Sequence, residues 1–139
     1  MAVIYAATAV SFGTGREGHV ETVDGRVSLD LAYPKELGGS GAGSNPEQLV
    51  AMGYAACFSS ALGAVARRRR MAPPEAEVTC TVSLHKSSND DYTLSFDIVA
   101  RLPGMAAAAA ESLVAEAHAY CPYSKAFTHT APAVARAQA

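Results

Sequence analysis

The chain has 139 residues, half of them apolar, and a formal net charge of -2. A chain of that size forms one domain, here taken as residues 1–139, and buries roughly two thirds of its unfolded surface. The charge balance excludes the basic footprint that nucleic-acid backbones or anionic lipids demand, so neither nucleic acid nor membrane is an expected partner.

Residues 1–10 are apolar but lack the basic start of a secretory signal, and their composition suits a strand. A cytoplasmic protein is expected. Its three cysteines, Cys57, Cys80 and Cys121, then make no disulfide framework, because reducing cytosol keeps thiols free unless they cycle in catalysis.

Residues 20–23 and 26–31 read as two strands around Asp24-Gly25, a dipeptide that suits a type I′ hairpin turn, with Val27, Leu29 and Leu31 sharing one face. Residues 34–45 are rich in Gly and Ser and read as a loop, of a length that in small domains is usually functional or mobile. At Ser44-Asn45-Pro46-Glu47 a helix starts, with Ser or Asn as cap, Pro in the first turn and an acid near the positive dipole end.

This helix is expected to run to about Arg70. Residues 49–66 carry no charge and precede four arginines, which resembles a short membrane span with a basic stop. The abundance of Ala, Gly and Ser favours instead the buried centre of a globular core, and the arginines read as a solvated helix end.

Val78, Cys80, Val82 and Leu84 alternate with polar residues, as do Tyr92, Leu94, Phe96, Ile98 and Ala100 beyond a Ser-Ser-Asn-Asp-Asp turn, which predicts a hairpin with one buried face. After Pro103-Gly104, residues 105–120 form a helix by propensity, ended by Pro122. A last strand is expected within residues 131–136. The element order is α+β.

The three thiols have different surroundings. Cys80 lies on the apolar side of its strand and reads as structural. Cys57 lies in the apolar helix, where a core role would be the default. Cys121 stands at a helix C-terminus, where the dipole opposes thiolate formation, so it is a poor first nucleophile that can still serve as a resolving thiol.

A thiol of pKa about 8.5 is only ~3% ionised at pH 7, and lowering the pKa to about 6 raises that to ~90%. A buried, reactive Cys57 therefore needs a cation. The arginines at 67–70 begin ten residues further on, roughly 15 Å along a helix, and cannot supply it.

The motifs Pro34-Lys35-Glu36-Leu37-Gly38-Gly39, Ser44-Asn45-Pro46-Glu47-Gln48-Leu49, Gly53-Tyr54-Ala55-Ala56-Cys57-Phe58 and Ala117-His118 with Cys121-Pro122-Tyr123-Ser124 together resemble the organic hydroperoxide resistance (Ohr) branch of the Ohr/OsmC family. Gly15-Arg16-Glu17-Gly18 and Leu102-Pro103-Gly104 extend the likeness over nearly the whole chain.

The resemblance implies an OsmC-like α+β fold, with antiparallel sheets wrapped around a central buried helix in an intertwined homodimer. It implies a thiol peroxidase for alkyl or fatty-acyl hydroperoxides, with Cys57 peroxidatic and Cys121 resolving through a Cys57-Cys121 disulfide. Arg16 would hold the thiolate and polarise the peroxide, and Glu47 would orient Arg16. No bound cofactor is implied. Electrons would come from a dithiol on a protein partner bearing dihydrolipoyl groups.

The chemistry suits these roles, since a guanidinium meets the charge developing on the departing alkoxide and a bidentate carboxylate holds it in place. Glu47 and Cys57 are ten residues apart, too far to share a site in one straight helix. Either the helix breaks at Gly53, or Arg16 and Glu47 act on the partner subunit's Cys57; the second is favoured.

Tyr54, Phe58 and Tyr123 are candidates both for an apolar substrate pocket and for ordinary core packing. Residues 125–130 depart from the family's usual asparagine-containing segment, which bears on substrate preference and reductant docking. Three other readings compete. These are a hydrolase using Cys57 and His118, a metal module using Cys57, His118 and Cys121, and a redox-silent ligand-binding relative.

Overall fold

The structure, a computed structural model, describes residues 1–128 and 133–138. It divides into two compact units, Met1–Leu49 and Val50–Ala139, which are taken in turn.

In the first unit, β1 (Ala9–Phe12), β2 (His19–Thr22) and β3 (Ser28–Asp30) form an antiparallel sheet in that order. Phe12 pairs with His19, and His19 with Asp30. The first strand thus lies later than the apolar N-terminal stretch suggests.

The β2–β3 turn is not type I′. That turn needs positive φ at both central residues, and only Gly25, at 73°, has it. Thr22 N–H donates to Val27 O at 2.9 Å, closing a longer loop, and Asp24 Oδ1 accepts from Thr22 Oγ1 at 2.7 Å and from the Arg26 amide at 3.0 Å. The Asp24 side chain therefore folds the loop on itself. Leu31 is buried, Leu29 half-buried and Val27 exposed.

The segment from Pro34 to Asn45 is pinned down. It opens with a single 3-10 turn, Lys35–Leu37, and Ser44 bridges Leu31 in parallel, with Ala32 N–H donating to Ser44 O and Ser44 N–H to Asp30 O, each at 3.0 Å. Two glycines permit this return: a Cβ at Gly39 would lie 2.2 Å from Tyr33 O, and one at Gly43 would lie 2.7 Å from Asp30 O.

Helix α1 spans Pro46–Arg68 and is unbroken at Gly53, which removes the helix break from consideration. Asn45 is its cap, with Oδ1 accepting from the Gln48 amide at 2.9 Å.

In the second unit, Tyr54, Phe58, Ala61, Leu62, Val65 and Ala66 make one buried stripe of α1 at helical spacing. β4 (Glu77–Lys86) and β5 (Tyr92–Arg101) form the expected antiparallel hairpin, in which Cys80 pairs with Ile98 and Val82 with Phe96. Val78, Cys80, Phe96, Ile98 and Ala100 pack against the α1 core, while Tyr92 and Leu94 at the tip end are exposed. Helix α2 (Ala107–Tyr120) adds the buried Leu113 and Ala117.

α1 is long and apolar enough to cross a membrane by length and composition alone. Its buried stripe lies inside a protein core here, as expected of a central helix. Its end is tied to α2: the Arg68 guanidinium lies 4.4 Å from the Tyr120 ring centroid, and Arg69 Nε donates to Glu116 Oε2 at 2.7 Å. The arginines are exposed, as a solvated helix end requires, but two of them also fasten it.

Pro122 ends α2, yet it also opens an unforeseen helix, α3 (Pro122–Thr128). Of the expected last strand, 131 and 132 lie outside the described residues, and 133–136 have no regular secondary structure.

Candidate active site

Cys57 lies on α1 between the buried Tyr54 and Phe58 and packs against the core, and Cys121 is the residue that caps α2 and precedes Pro122 of α3. Core packing of α2 against α1 brings them together. The Cys121 and Cys57 sulfurs lie within hydrogen-bond distance, at an Sγ–Sγ separation of 3.6 Å, and both thiols are free. Cys121 is fully buried and Cys57 half-buried.

Burial pushes the Cys57 thiol above its ordinary pKa, and the neighbouring Cys121 adds to the rise. A hydrogen bond from the Tyr123 backbone amide works the other way. Within its own unit Cys57 therefore has one group favouring the thiolate, an amide in the first turn of α3, and needs a cation to become strongly reactive.

Cys80 is half-buried on β4 against the core, and burial, followed by the charge of Asp97, raises its pKa. A buried, high-pKa thiol is inert, as its strand position implies.

In the first unit Arg16 lies in the 3-10 turn Gly15–Glu17, and Glu47 in the first turn of α1. They form a fork-to-fork pair, Nη1 to Oε2 at 2.7 Å and Nη2 to Oε1 at 2.6 Å. This hydrogen bonding raises the Arg16 pKa and holds the Glu47 carboxyl below the usual range. The Arg16 side chain keeps 28% of its surface open, and its guanidinium carries N–H groups beyond the two given to Glu47.

The four named residues thus occupy two pairs, Arg16 with Glu47 and Cys57 with Cys121. One group escaped sequence reasoning. The Ser124 hydroxyl, 1% exposed, lies 2.8 Å from Tyr54 Oη and 2.9 Å from His118 Nδ1. Ser124 stands in the Cys121-Pro122-Tyr123-Ser124 motif, but its burial beside Tyr54 and His118 is legible only if α3 is foreseen.

His118 Nδ1 is thus taken up by Ser124 and not by Cys57, which does not suit a Cys57–His118 hydrolase. Among the described residues no three of His, Cys, Asp and Glu are grouped to hold a metal ion. Tyr54, Phe58 and His118 line a cavity of about 340 Å³ with Phe96, Ile98, Val114, Phe127 and Thr128. Tyr54 and Phe58 are therefore core residues that also wall a cavity; Tyr123 lies instead against Gly53 and packs on Tyr54 and Phe127.

The family model for OsmC-like proteins matches residues 38–135. The organic hydroperoxide resistance protein OhrA of Bacillus subtilis is 45% identical over 129 residues, covering 88% of each chain. The organic hydroperoxide resistance protein-like 2 of Staphylococcus epidermidis is 43% identical over 125 residues, covering 88% of this chain and 87% of the relative. Among solved structures, an organic hydroperoxide resistance protein from Legionella pneumophila superposes with a TM-score of 0.85 at 46% identity, covering 91% of each chain. With its motifs, fold and relatives in agreement, this chain belongs to the organic hydroperoxide resistance branch of the OsmC-like family.

Proposed function

We propose that this protein detoxifies organic hydroperoxides as a cysteine-based peroxidase, reducing them to alcohols. The observation that carries the reading is the pair of free thiols, half-buried Cys57 and buried Cys121, 3.6 Å apart. The names of its relatives, organic hydroperoxide resistance proteins of Bacillus and Staphylococcus, supply the substrate class.

The Cys57 thiolate attacks the terminal peroxide oxygen. The O–O bond breaks, the alcohol leaves after taking a proton, and Cys57 becomes a sulfenic acid. The Cys121 sulfur then attacks Cys57, a disulfide forms and water leaves. A dithiol reductant of the dihydrolipoyl type exchanges with the disulfide and restores both thiols.

Arg16, held by Glu47, supplies the cation that the raised pKa of Cys57 calls for. With Glu47 and Cys57 ten residues apart in an unbroken α1, Arg16 and Glu47 serve the Cys57 of a second copy, and the active form is a homodimer. Exposed apolar side chains, Phe12, Met52, Tyr92 and Val99 among them, suit burial against that copy. The reducing cytoplasm is the compartment in which such a cycle is sustained.

The test is consumption of tert-butyl hydroperoxide and hydrogen peroxide with dihydrolipoamide as reductant. Wild type turns over the organic peroxide faster; Cys57→Ser reacts not even once; Cys121→Ser reacts once and fails to cycle. Turnover surviving in Cys57→Ser ends the reading.

A further inference from the structure

The buried hydroxyl of Ser124 joins three helices at the thiol pair without touching either sulfur as a hydrogen-bond partner. Ser124 on α3 meets Tyr54 on α1 and His118 on α2, at 2.8 and 2.9 Å. Tyr54 stands three residues before Cys57, His118 three before Cys121, and Ser124 three after Cys121. Each framing residue thus lies one helical turn from a cysteine.

The Ser124 hydroxyl is the shared partner of both side chains. Tyr54 is 2% exposed, and Ser124 is its one side-chain partner among the described residues. Burial raises the Tyr54 pKa, so the phenol stays protonated. Its O–H has Ser124 Oγ as partner, and Ser124 Oγ also lies within hydrogen-bond distance of His118 Nδ1.

We propose that Ser124, with Tyr54 and His118, forms a positioning frame that sets the Cys121 thiol against Cys57 for disulfide closure. This rests on the two-cysteine peroxidase reading and assigns its resolving step to residues that reading leaves unused. In that step the Cys121–Cys57 S–S bond forms and the Cys57 S–O bond breaks. The oxygen leaves as water, carrying the sulfenic hydrogen and the thiol hydrogen.

The sulfurs stand 3.6 Å apart and must reach about 2.05 Å. The α2–α3 corner that carries Cys121 is fastened on both sides by the Ser124 hydroxyl, so only a short approach remains. Freed from Tyr54 and His118, the corner relaxes, and a second peroxide overtakes closure and oxidises Cys57 to the sulfinic acid.

The experiment treats the reduced full-length protein with one equivalent of tert-butyl hydroperoxide. Peroxide loss, dimedone-trapped sulfenic acid and disulfide are followed in time by intact mass. Ser124→Ala is expected to consume peroxide within about twofold of wild type while closing the disulfide at least about tenfold more slowly. Its dimedone adduct rises at one equivalent, and in a parallel run with excess peroxide and no dimedone its sulfinic acid exceeds that of wild type.

His118→Asn, whose side-chain amide can take the place of Nδ1 as hydrogen-bond partner of Ser124, closes as wild type does, and His118→Leu behaves as Ser124→Ala does. Closure at the wild-type rate in both Ser124→Ala and His118→Leu overturns the frame. So does an equal loss of both steps, which marks a merely structural role. A wild type that consumes peroxide but forms no Cys57-Cys121 disulfide sinks the peroxidase cycle itself, and the frame with it.

Discussion

The Cys121 and Cys57 sulfurs face each other across 3.6 Å, in a core where Cys121 is fully buried. Bond formation needs an approach of about 1.5 Å, within reach of side-chain rotation and a small corner shift. Cys80 has no thiol partner in the structure and faces the core from β4. On the proposed cycle, one equivalent of tert-butyl hydroperoxide consumes the thiols of Cys57 and Cys121 and spares Cys80. Thiol titration in denaturant with peptide mapping reads this directly; loss of the Cys80 thiol at that dose contradicts it.

Burial raises the Cys57 pKa, so its reactivity should depend on the proposed cation. Arg16→Met is expected to move the pH profile of Cys57 alkylation to higher pH and to lower peroxide reduction at pH 7 by a factor on the order of 10². Glu47→Gln moves both in the same direction by less, because the guanidinium remains but loses its fixed orientation. An alkylation profile unmoved by Arg16→Met separates Arg16 from the thiol.

The homodimer reading makes a sharper demand. Alone, Arg16→Met protein cycles only slowly and Cys57→Ser not at all, yet a mixed dimer of the two contains one site with both an intact Arg16 and an intact Cys57, provided the arginine acts across subunits. Co-expression with two purification tags isolates that mixed dimer. Activity near half that of wild type supports action across the interface, and an inactive mixed dimer places Arg16 and Cys57 of one chain in the same site.

Much of this arrangement is legible in the sequence, for identifiable reasons. α1 announces itself because Asn45, Pro46 and Glu47 are each suited to a different need of a helix N-terminus, and the β4–β5 hairpin because alternation at 78–84 and 92–100 has only one regular solution. The turn at Asp24-Gly25 misleads because the dipeptide fits two loops, and the side chain of Asp24, bonded to Thr22 and Arg26, selects the longer. α3 is hidden because the proline that ends one helix is also an acceptable first residue of the next. The Tyr54–Ser124 bond joins residues 70 positions apart, which no local pattern encodes.

The ordered glycine-rich return offers a stability test. A Cβ at Gly39 would press into the Tyr33 carbonyl and side chain, at 2.2 and 2.3 Å, both too close to be relieved by a rotamer change. Gly39→Ala is therefore expected to destabilise the protein by about 1–3 kcal/mol, as overpacking does. Asn45→Ala, which removes the α1 cap, should cost about 1 kcal/mol. Urea denaturation reads both, and a Gly39→Ala midpoint equal to wild type shows that the return rearranges freely.

His19 carries a separate pH dependence. Its Nδ1 lies 2.8 Å from Asp30 Oδ1, its Nε2 lies 2.9 Å from Ser28 Oγ, and Glu21 lies 3.5 Å away. The Asp30 hydrogen bond raises the His19 pKa, with the charges of Asp30 and Glu21 adding to it. A raised folded-state pKa means that the protonated ring stabilises the fold fully below the unfolded value of about 6.5, and that this contribution fades as pH rises through the folded value. The ring is at the surface, so the effect on stability is small and weakens with salt. An NMR titration should place His19 above its ordinary value, and Asp30→Asn should bring it down. A His19 that titrates at its ordinary value in wild type would mean that the β2–β3 ion pair does not persist in solution.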